Sequence, residues 1–435
     1  MDFSIGVWLL GLFLFMIAIS MPIAVAIAMS SLTIMYFILP FDVASIAAGQ
    51  KIFTGIDSFS LLAIPFFILA GNIMNVGGIA GRLINLAKLM VGWIPGSLLH
   101  VNIFANMMFG AVSGSAVAAA AAVGKTLGPE LEKEGYDKNL ATAVNVASCP
   151  AGLLIPPSNS LIVFSVVSGG TSVAALFIAG YVPGILMGLS CMLVAFIIAK
   201  KKGYKTSAND GFTLKDVLRI IWEATPSLGL IFVVIGGIIG GAFTATEGAV
   251  IAVLYSFILS LCYRSLKWSD FSKICNETTI ITGIMLFLIG ASTIMSWAMA
   301  FTGLPTMISD WMLSISDNPI IILLLMNLIL LIIGMFMDLT PAVLIFTPIF
   351  MPIAVALGMD PIHFAMMLIF NLCIGIATPP VGTALFVGCS VSGSKIEAVI
   401  KSIMPFCAVL IVTLLAITFI PELSLALPRF FGLIP

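Results

Sequence analysis

Long apolar segments that follow one another along the whole chain constrain its fold more than any other feature. There are twelve of them, at approximately residues 4–20, 22–39, 58–76, 97–128, 139–168, 172–199, 223–241, 246–262, 279–300, 318–357, 361–391 and 402–420. Hydrophobic residues make up 61% of the chain and charged residues 9%, and a water-soluble domain could not bury so much apolar surface. Continuous runs of this length favour membrane helices over strands. The sequence therefore predicts an all-α polytopic membrane protein.

Two of these segments are too long for one membrane crossing and too short for two full crossings. Residues 97–128 contain a small, polar break at 110–115, and residues 318–357 contain one at 334–340. A helix needs about 20 residues to cross the hydrocarbon core. The halves therefore fit re-entrant hairpins that enter the membrane and return, with two short tilted spans as the alternative. Irregular backbone at this depth is found where protein buries it or where it lines a cavity.

Two other apolar segments are interrupted by a pair of prolines. One pair, at 156–157, lies within residues 139–168, and the other, at 379–380, lies within residues 361–391. Each pair removes two backbone amide donors and disfavours helix in the residue before it. The carbonyl groups left without a partner must find another one, and a bound cation can serve. We predict a broken helix at each place.

The hairpins and the broken helices are duplicated. The proline pairs lie 223 residues apart, and Gly110 and Gly334 in the two hairpin breaks lie 224 residues apart. Residues 109–157 can be aligned with residues 333–380 with one gap. Paired interruptions at matching places are typical of a secondary transporter with its site between two repeats. The predicted scaffold and transport-core parts are 1–57 and 58–200 for the first repeat, and 201–278 (with a cytoplasmic linker) and 279–435 for the second.

The distribution of basic residues predicts the orientation. By the positive-inside rule, one loop is expected to be cytoplasmic because of its basic cluster, Lys200, Lys201, Lys202, Lys205, Lys215 and Arg219. Counting spans outward leaves 16 of the 18 basic residues in the cytoplasm, with Lys51 and Arg429 outside. The first hairpin then opens from the cytoplasm and the second from outside, so the repeats are inverted and both chain ends are periplasmic. Met1, Asp2 and Phe3 carry no basic group, so we expect the first apolar segment to be a retained span.

Two polar, amphipathic stretches occupy equivalent places after the second span of each half. They are residues 41–58 and residues 265–277, and each carries both acidic and basic side chains. We predict that both are interfacial arm helices that brace the scaffold, with a plain loop as the alternative.

A single acidic residue marks the second hairpin break. Asp338 is the only charged residue between Asp317 and Asp360. A carboxylate at membrane depth is costly, and such residues usually serve a function or line a polar cavity. The alternative is a helix cap, in which the carboxylate accepts hydrogen bonds from the free amides of a helix that begins near Thr340.

Several motifs resemble the large membrane subunit of tripartite ATP-independent periplasmic (TRAP) transporters. They are Gly-Ala-Val-Ser-Gly-Ser-Ala-Val-Ala from residue 110, Gly-Pro-Glu-Leu-Glu-Lys-Glu-Gly-Tyr-Asp from 128, Leu-Ile-Pro-Pro-Ser-Asn from 154 and Met-Phe-Met-Asp-Leu-Thr-Pro-Ala from 335. The similarity covers essentially the whole chain. It implies an elevator-type, sodium-driven importer in a bacterial inner membrane, to which a periplasmic binding protein delivers an organic anion, commonly a carboxylate. The expected partners also include membrane lipid and a small four-helix membrane subunit, and no nucleic acid is expected. We expect the small subunit to be a separate chain, because no apolar segment of this sequence is left over for it.

Together with this resemblance, the interrupted helices predict two sodium sites near mid-membrane. Na⁺ prefers oxygen ligands, and the carbonyl groups at helix C-termini favour cations. The first predicted site consists of Ser113, Gly114, Ser115, Ser158 and Asn159. Its inverted counterpart consists of Asp338, Thr340, Thr378, Gly382 and Thr383. For the serines, close packing of helices through small side chains is the alternative.

The predicted substrate site contains no guanidinium. No arginine lies between Arg82 and Arg219, and Lys125, about 16 Å along a helix from the first break, is expected near the cytoplasmic mouth. A carboxylate should instead meet hairpin-tip amides and hydroxyls beside bound Na⁺, at Ser115, Pro157, Asn159 and Thr340. The Pro-Pro-Ser-Asn-Ser sequence resembles sialic-acid-type members, so N-acetylneuraminate is the predicted substrate, with C4-dicarboxylates and other sugar acids as alternatives.

Other functions fit the sequence less well. An enzyme needs convergent titratable groups, but there are only two histidines, His100 and His363, and the seven cysteines sit singly without metal-ligand spacing. We therefore predict neither an enzyme nor a metal site other than sodium. A stand-alone sodium–carboxylate symporter of similar design differs only in needing no binding protein. A channel is disfavoured because paired broken helices indicate occluded binding.

Overall fold

The computed structural model describes residues 3–204, 213–316 and 318–434, and all the regular secondary structure in these ranges is helical. Lys205 of the basic loop, the terminal residues Met1 and Asp2, and Asp317 lie outside the described residues. Among the described residues, eight helices are long and apolar enough to cross a membrane, or nine if one bent pair counts as a single span. The prediction of an all-α polytopic membrane protein is confirmed.

The helices of the two halves follow the same order. In the first half they are α1 Phe3–Ala18, α2 Ile23–Ile38, α3 Phe41–Ile56, α4 Ala63–Val76 (after a 3₁₀ turn at Phe59–Leu62), α5 Ile79–Val91, α6 Ser97–Ser113, α7 Ala116–Lys133, α8 Lys138–Ser148, α9 Ala151–Leu154, α10 Asn159–Val167 and α11 Val173–Lys202. In the second half they are α12 Leu214–Ile239, α13 Ala245–Cys262, α14 Trp268–Thr302, α15 Leu304–Ile315, α16 Pro319–Phe336, α17 Leu339–Ala356, α18 Pro361–Ala377, α19 Thr383–Ser392, α20 Ile396–Phe419 and α21 Glu422–Phe430.

Both predicted hairpins and both predicted broken helices are present. The hairpins are α6–α7 and α16–α17, with arms of 17 or 18 residues. The first broken helix bends by 50° between α9 and α10, and the second is interrupted between α18 and α19. An arm of 18 residues is about 27 Å long, and the tips of both hairpins meet the breaks of both broken helices. Both arms of the second hairpin count among the eight helices that could cross a membrane by length and composition. The tips of both hairpins nevertheless end at an internal cavity beside the breaks, as the tips of re-entrant hairpins do.

A pair of glycine crossings repeats in the two halves. Gly110 of α6 faces Gly152 of α9 so closely that a Cβ on Gly152 would lie 2.2 Å from the Gly110 Cα. Gly334 of α16 faces Gly375 of α18 in the same way, and a Cβ on Gly375 would lie 2.5 Å from the Gly334 Cα. Only glycine allows backbones to approach this closely. Because the spacings of 223 and 224 residues recur in these contacts, the sequence duplication is also a structural one.

The broken helices occupy the centre of the molecule. Every residue of α18 from Ile362 to Ala377 is buried, as is every residue of α8 from Leu140 to Ser148. A helix that is buried on all sides has no lipid-facing stripe. Around this core, α4 packs along α13 and α2 packs along α14, which are equivalent pairs that cross between the repeats.

The second arm helix differs from its prediction. In the first half, α3 is a separate helix, because Asp57 ends it and Ser58 is extended (φ −135°, ψ 128°) before the next helix begins. In the second half, the predicted arm at 265–277 and the span at 279–300 form one continuous helix of 35 residues, α14. The prediction of a separate second arm is wrong, because no proline or glycine interrupts residues 268–282. The sequence analysis also missed α5, α15 and α21.

Candidate binding cavity between the hairpin tips

The tips of both hairpins open into one cavity of about 340 Å³. The broken helices contribute Leu153, Asn159, Ser160, Ile376 and Thr383 to its lining, and the helices α4 and α14 close one side. The predicted boundaries put α4 and the span of α14 in the transport core, but these helices pack along α13 and α2 of the predicted scaffold parts, so we name this the scaffold side. From the set predicted for sodium or substrate, seven residues line this cavity: Ser113, Gly114, Ser115, Asn159, Asp338, Thr340 and Thr383. Residues that lie more than 200 positions apart in sequence thus share one site.

The first hairpin tip is neutral and closed by its own hydrogen bonds. Gly114 adopts a left-handed conformation (φ 63°) that ends α6, and Ser115 begins α7 as its N-cap. The Ala118 amide donates to the Ser115 Oγ at 3.2 Å, and the Ser113 hydroxyl donates to the Ser115 carbonyl at 3.4 Å. The cap satisfies one amide of α7 and leaves the second lone pair of the Ser115 hydroxyl available.

Asn159 lies beside this tip with an unpartnered acceptor. A Cβ on Gly114 would lie 3.5 Å from the Asn159 Nδ2 and 3.8 Å from the Pro157 carbonyl oxygen, so the tip and the break of the first broken helix are in near contact. The Asn159 side chain is 9% exposed, and its Oδ1 has no hydrogen bond among the described residues. A buried acceptor without a partner costs about 1–3 kcal/mol. A cation or a ligand donor in the cavity would remove that cost.

The second hairpin tip carries the charge. Asp338 stands at the N-cap position of α17, yet its side chain makes no capping hydrogen bond. Its Oδ1 instead accepts a hydrogen bond from the Thr383 hydroxyl at 3.2 Å, and its side chain is exposed toward the cavity. Among the described residues that line the cavity, Asp338 is the only charged one. The capping alternative is therefore not what the structure shows.

Helix ends of both polarities meet at the cavity. The N-termini of α7, α10, α17 and α19 begin there, and their free amides favour anions. The C-termini of α6, α9 and α18 end there, and their carbonyl groups favour cations. The cavity can therefore hold a cation and an anion side by side.

The remaining predicted residues lie behind the lining. Ser158 donates from its hydroxyl to the Leu153 carbonyl and shares a 2.8 Å hydrogen bond with Ser160. Thr378 donates to the Ile374 carbonyl at 2.6 Å, which turns its hydroxyl away from the cavity. Gly382 has a positive φ of 34°, and its amide donates to the Met335 carbonyl at 3.2 Å. These residues, together with Pro157, fix the breaks on which the lining residues are mounted.

Sequence reasoning missed the scaffold side of the cavity. Ile68 and Asn72 of α4 and Ile281 and Met285 of α14 line it. The Asn72 amide donates to the Thr278 hydroxyl at 2.9 Å and so joins α4 to α14. Asn72 is one of two asparagines within the apolar segment 58–76, and a polar side chain there was a signal that could have been followed.

Comparison with known proteins decides the family. Residues 10–423 match the family model described as "Tripartite ATP-independent periplasmic transporter, DctM component". The chain belongs to this family. The large TRAP permease subunits are multi-pass membrane proteins that work with a small membrane subunit and a periplasmic binding protein, and this assignment confirms the resemblance noted in the sequence.

Relatives of this TRAP permease differ in the substrate that their names give. The chain is 52% identical over 424 residues to the uncharacterized protein YgiK of Salmonella typhimurium (98% of this chain, 97% of the relative). It is 39% identical to the sialic acid TRAP transporter large permease SiaM of Vibrio cholerae (88% and 90%) and 39% identical to the C4-dicarboxylate TRAP transporter large permease DctM of Pseudomonas aeruginosa (93% and 93%). SiaM and DctM are named as transporter permeases, which supports a transporter rather than an enzyme.

The fold of this TRAP permease also occurs in a distantly related solved structure. The crystal structure of the Alcanivorax borkumensis YdaH transporter aligns with a TM-score of 0.62 at 14% identity and covers 89% of each chain. At that identity the likeness shows the fold alone, and it agrees with the predicted class of inverted repeats with hairpins and broken helices.

Proposed function

We propose that this TRAP permease is a secondary importer that uses a sodium gradient to take up an organic carboxylate delivered by a periplasmic binding protein. The observation that carries the proposal is the single cavity in which Asp338, Asn159 and both hairpin tips converge. One negative charge among hydroxyl, amide and carbonyl oxygens suits a hard monovalent cation better than a soft transition metal.

Two sodium ions fit the duplicated architecture. One would bind among Ser113, Ser115 and Asn159, whose oxygens are neutral, and the other beside Asp338 and Thr383. Ile376 adds a carbonyl oxygen near the second position, because that oxygen lies 2.9 Å from where a Cβ on Gly382 would sit. The proposed ion at the second position interacts with the full negative charge of Asp338. The proposed ion at the first position interacts only with the dipoles of hydroxyl, amide and carbonyl groups.

A carboxylate substrate would depend on the bound sodium. No lysine or arginine is found among the described residues that line the cavity, while Asp338 repels an anion. Helix N-termini contribute about 0.3–1 kcal/mol each toward an anion, and the repulsion by an adjacent carboxylate opposes this contribution. Sodium therefore has to bind before or with the substrate, and this order couples uptake to the sodium gradient.

The cavity has one side that belongs to the scaffold and one that belongs to the core, as an elevator mechanism requires. Asn72 and Ile281 stand on α4 and α14, which pack against other scaffold helices, and the hairpin tips stand on the central core. We propose that the core carries ions and substrate past this fixed side. The site would then face the periplasm and the cytoplasm in turn, in a bacterial inner membrane with the lysine-rich loop inside.

N-acetylneuraminate is the substrate that we favour, on the Pro-Pro-Ser-Asn-Ser sequence and the likeness to a sialic acid permease. A C4-dicarboxylate is the second candidate, since a C4-dicarboxylate permease is equally identical to this chain. Thermal-shift screening of these acids against the partner binding protein separates the two, because the bound acid raises the Tm of that protein by mass action.

Reconstituted uptake tests the mechanism. Proteoliposomes that hold this permease and its small subunit should accumulate the labelled acid only with binding protein and an inward sodium gradient. A potassium gradient of the same size is the control. Equal uptake without binding protein would identify a stand-alone symporter instead, and equal uptake without sodium would reject sodium coupling.

A further inference from the structure

A second polar cavity lies apart from the hairpin tips, at the lysine-rich end of the transport core. It also has a volume of about 340 Å³ and is enclosed by α7, α8 and α19, with Asn102 of α6 at its back. None of its lining residues lines the central cavity. The positive-inside rule assigns this end of the molecule to the cytoplasm.

The charges around this second cavity favour an anion. Lys125, Lys138 and Glu132 are its charged lining residues. Lys138 and Glu132 form an ion pair at 3.1 Å, whereas Lys125 has no ion pair among the described residues. Its ammonium group is therefore the uncompensated charge at the cavity.

Amide groups at the back of the cavity add a hydrogen-bond donor. Both polar atoms of the Asn145 side chain already make hydrogen bonds within the protein, because its Nδ2 donates to the Ala120 carbonyl and its Oδ1 accepts from Asn106. Asn102 is 1% exposed, and its Oδ1 also accepts from Asn106, at 3.0 Å. Within the described parts of the chain, the Asn102 Nδ2 makes no hydrogen bond, so this buried amide can donate to a ligand.

The two cavities follow one another along a single face of α7. Ala118 and Ala121 line the central cavity, and Lys125 and Gly128 line the second. Spacings of three and four residues keep these positions on one face of the helix. Lys125 lies about 10 Å along the helix from Ala118, at 1.5 Å per residue.

We propose that the second cavity is a binding site for a small carboxylate anion, held by the Lys125 ammonium and the Asn102 amide, that receives substrate after it leaves the central cavity. The binding of an anion rests on this cavity alone, and its place in transport rests on the proposed function. A site that attracts carboxylates next to the exit draws the released anion away from Asp338.

Charge-selective labelling tests the site on the purified full-length protein. Ser392 lines the cavity and is half-buried, so Ser392→Cys introduces a reporter thiol there. For this thiol we measure the ratio of two labelling rates, with the anionic 2-sulfonatoethyl methanethiosulfonate and with its cationic trimethylammonium analogue. We expect this ratio to be higher at the new thiol than at the exposed native Cys262. Lys125→Gln should lower that ratio about tenfold, because one charge acts on the two reagents with opposite sign. Succinate should slow the labelling.

Three controls keep the outcome clear. Lys133→Gln removes the same charge from α7 outside the cavity and should leave the ratio unchanged, while Lys125→Arg should restore it. Potassium chloride at the same ionic strength should not slow the labelling of the new thiol as succinate does. An unchanged ratio in Lys125→Gln, or equal protection by chloride, overturns the proposal. Because labelling needs neither sodium nor the binding protein, failure of the uptake mechanism leaves this result readable.

Discussion

The two hairpin tips occupy equivalent places and differ in how they are held. At the first tip, the Ser115 side chain caps α7 and no side chain carries a charge. At the second tip, Asp338 leaves α17 uncapped and turns its carboxylate to the cavity, where Thr383 donates to it. The side chain at the first tip thus stabilises its own helix, whereas the carboxylate at the second tip bonds only to another helix and keeps further lone pairs for a ligand.

This difference implies that the two proposed sodium positions are unequal. A cation beside Asp338 gains a full charge interaction, whereas one beside Ser115 gains only dipoles. The inverted repeats give the two tips similar backbones, and the side chains make the two tips chemically different. The expected consequence is that the proposed position beside Asp338 fills at a lower sodium concentration than the one beside Ser115.

Asp338→Asn gives the largest expected effect on this asymmetry. The amide keeps the shape but removes the charge, which should cost about 2–4 kcal/mol of sodium binding, or roughly 30- to 1,000-fold in affinity. The measurement is the rise in Tm of the purified permease with added sodium chloride, compared with potassium chloride, since a bound ion stabilises the folded state.

Asp360→Asn is the matched control for that substitution. Asp360 also stands at a helix N-cap, but its Oδ1 accepts from the Ile362 amide at 2.7 Å, and it does not line the cavity. Asparagine caps as well as aspartate does, so this variant should keep the sodium response. A normal sodium response in Asp338→Asn would contradict the charged position.

The glycine crossings give the second largest effect and compare the two halves directly. A Cβ on Gly110 would lie 2.7 Å from the Gly152 Cα, and a Cβ on Gly334 would lie 3.1 Å from the Gly375 Cα. Gly110→Ala should therefore destabilise the protein more than Gly334→Ala, within a range of about 1–3 kcal/mol for overpacking. Thermal unfolding in detergent measures both.

Gly283→Ala is the control for the crossings. Gly283 lies within α14, and a Cβ there would meet nothing within 4 Å. Alanine at such a helical position should stabilise by about 0.5–1 kcal/mol. Should Gly110→Ala also stabilise, the close approach of α6 and α9 would be refuted.

The same comparison shows what the sequence could predict. Gly110, Gly334 and the proline pairs act on the backbone itself, so the local geometry that they favour depends little on tertiary neighbours. For this reason the hairpins and the helix breaks could be predicted. The orientation of a side chain depends on tertiary neighbours. That is why Thr378 was expected at the site although its hydroxyl turns to the Ile374 carbonyl.

The scaffold side of the cavity escaped prediction for a related reason. Asn72 and Ile281 belong to different repeats and meet the tips only through packing of α4 and α14 against the core. No local pattern encodes that contact. The continuity of α14 was missed because amphipathicity changes along it although the helix does not end.

Ser115→Ala tests the neutral tip with a smaller effect. Loss of the cap should lower the free energy of unfolding by about 1 kcal/mol. Loss of the hydroxyl oxygen should in addition weaken sodium binding about fivefold, or roughly 1 kcal/mol. Ser172→Ala is the matched control, because Ser172 caps α11 through the Ala175 amide at 3.3 Å outside the cavity. If both variants keep the same sodium response, Ser115 is a cap and not a ligand.

The bases of the two hairpins differ as their tips do, and here the expected effect is smallest. Lys202 pairs with Asp137 at 3.1 Å in the connection between α7 and α8. At residues 357–360, between α17 and α18, no ion pair is found among the described residues. Burial alone would raise the pKa of Asp137, but the Leu140 amide and the Lys202 ammonium outweigh it and lower that pKa.

Because the folded-state pKa of Asp137 is lowered, its contribution to stability is present above the unfolded pKa of about 3.9 and is lost as the pH falls below it. Asp137→Asn should therefore lower the Tm at pH 7, and this effect should shrink as the pH falls from the unfolded pKa through the lowered folded pKa. The difference amounts to less than about 1 kcal/mol, since the pair is partly exposed. Lys202→Gln should reduce this pH dependence, because it removes one of the groups that lower the pKa. A Tm difference between wild type and Asp137→Asn that stays constant over this range would contradict a lowered pKa of Asp137, and with it the stabilising role of the charged carboxylate.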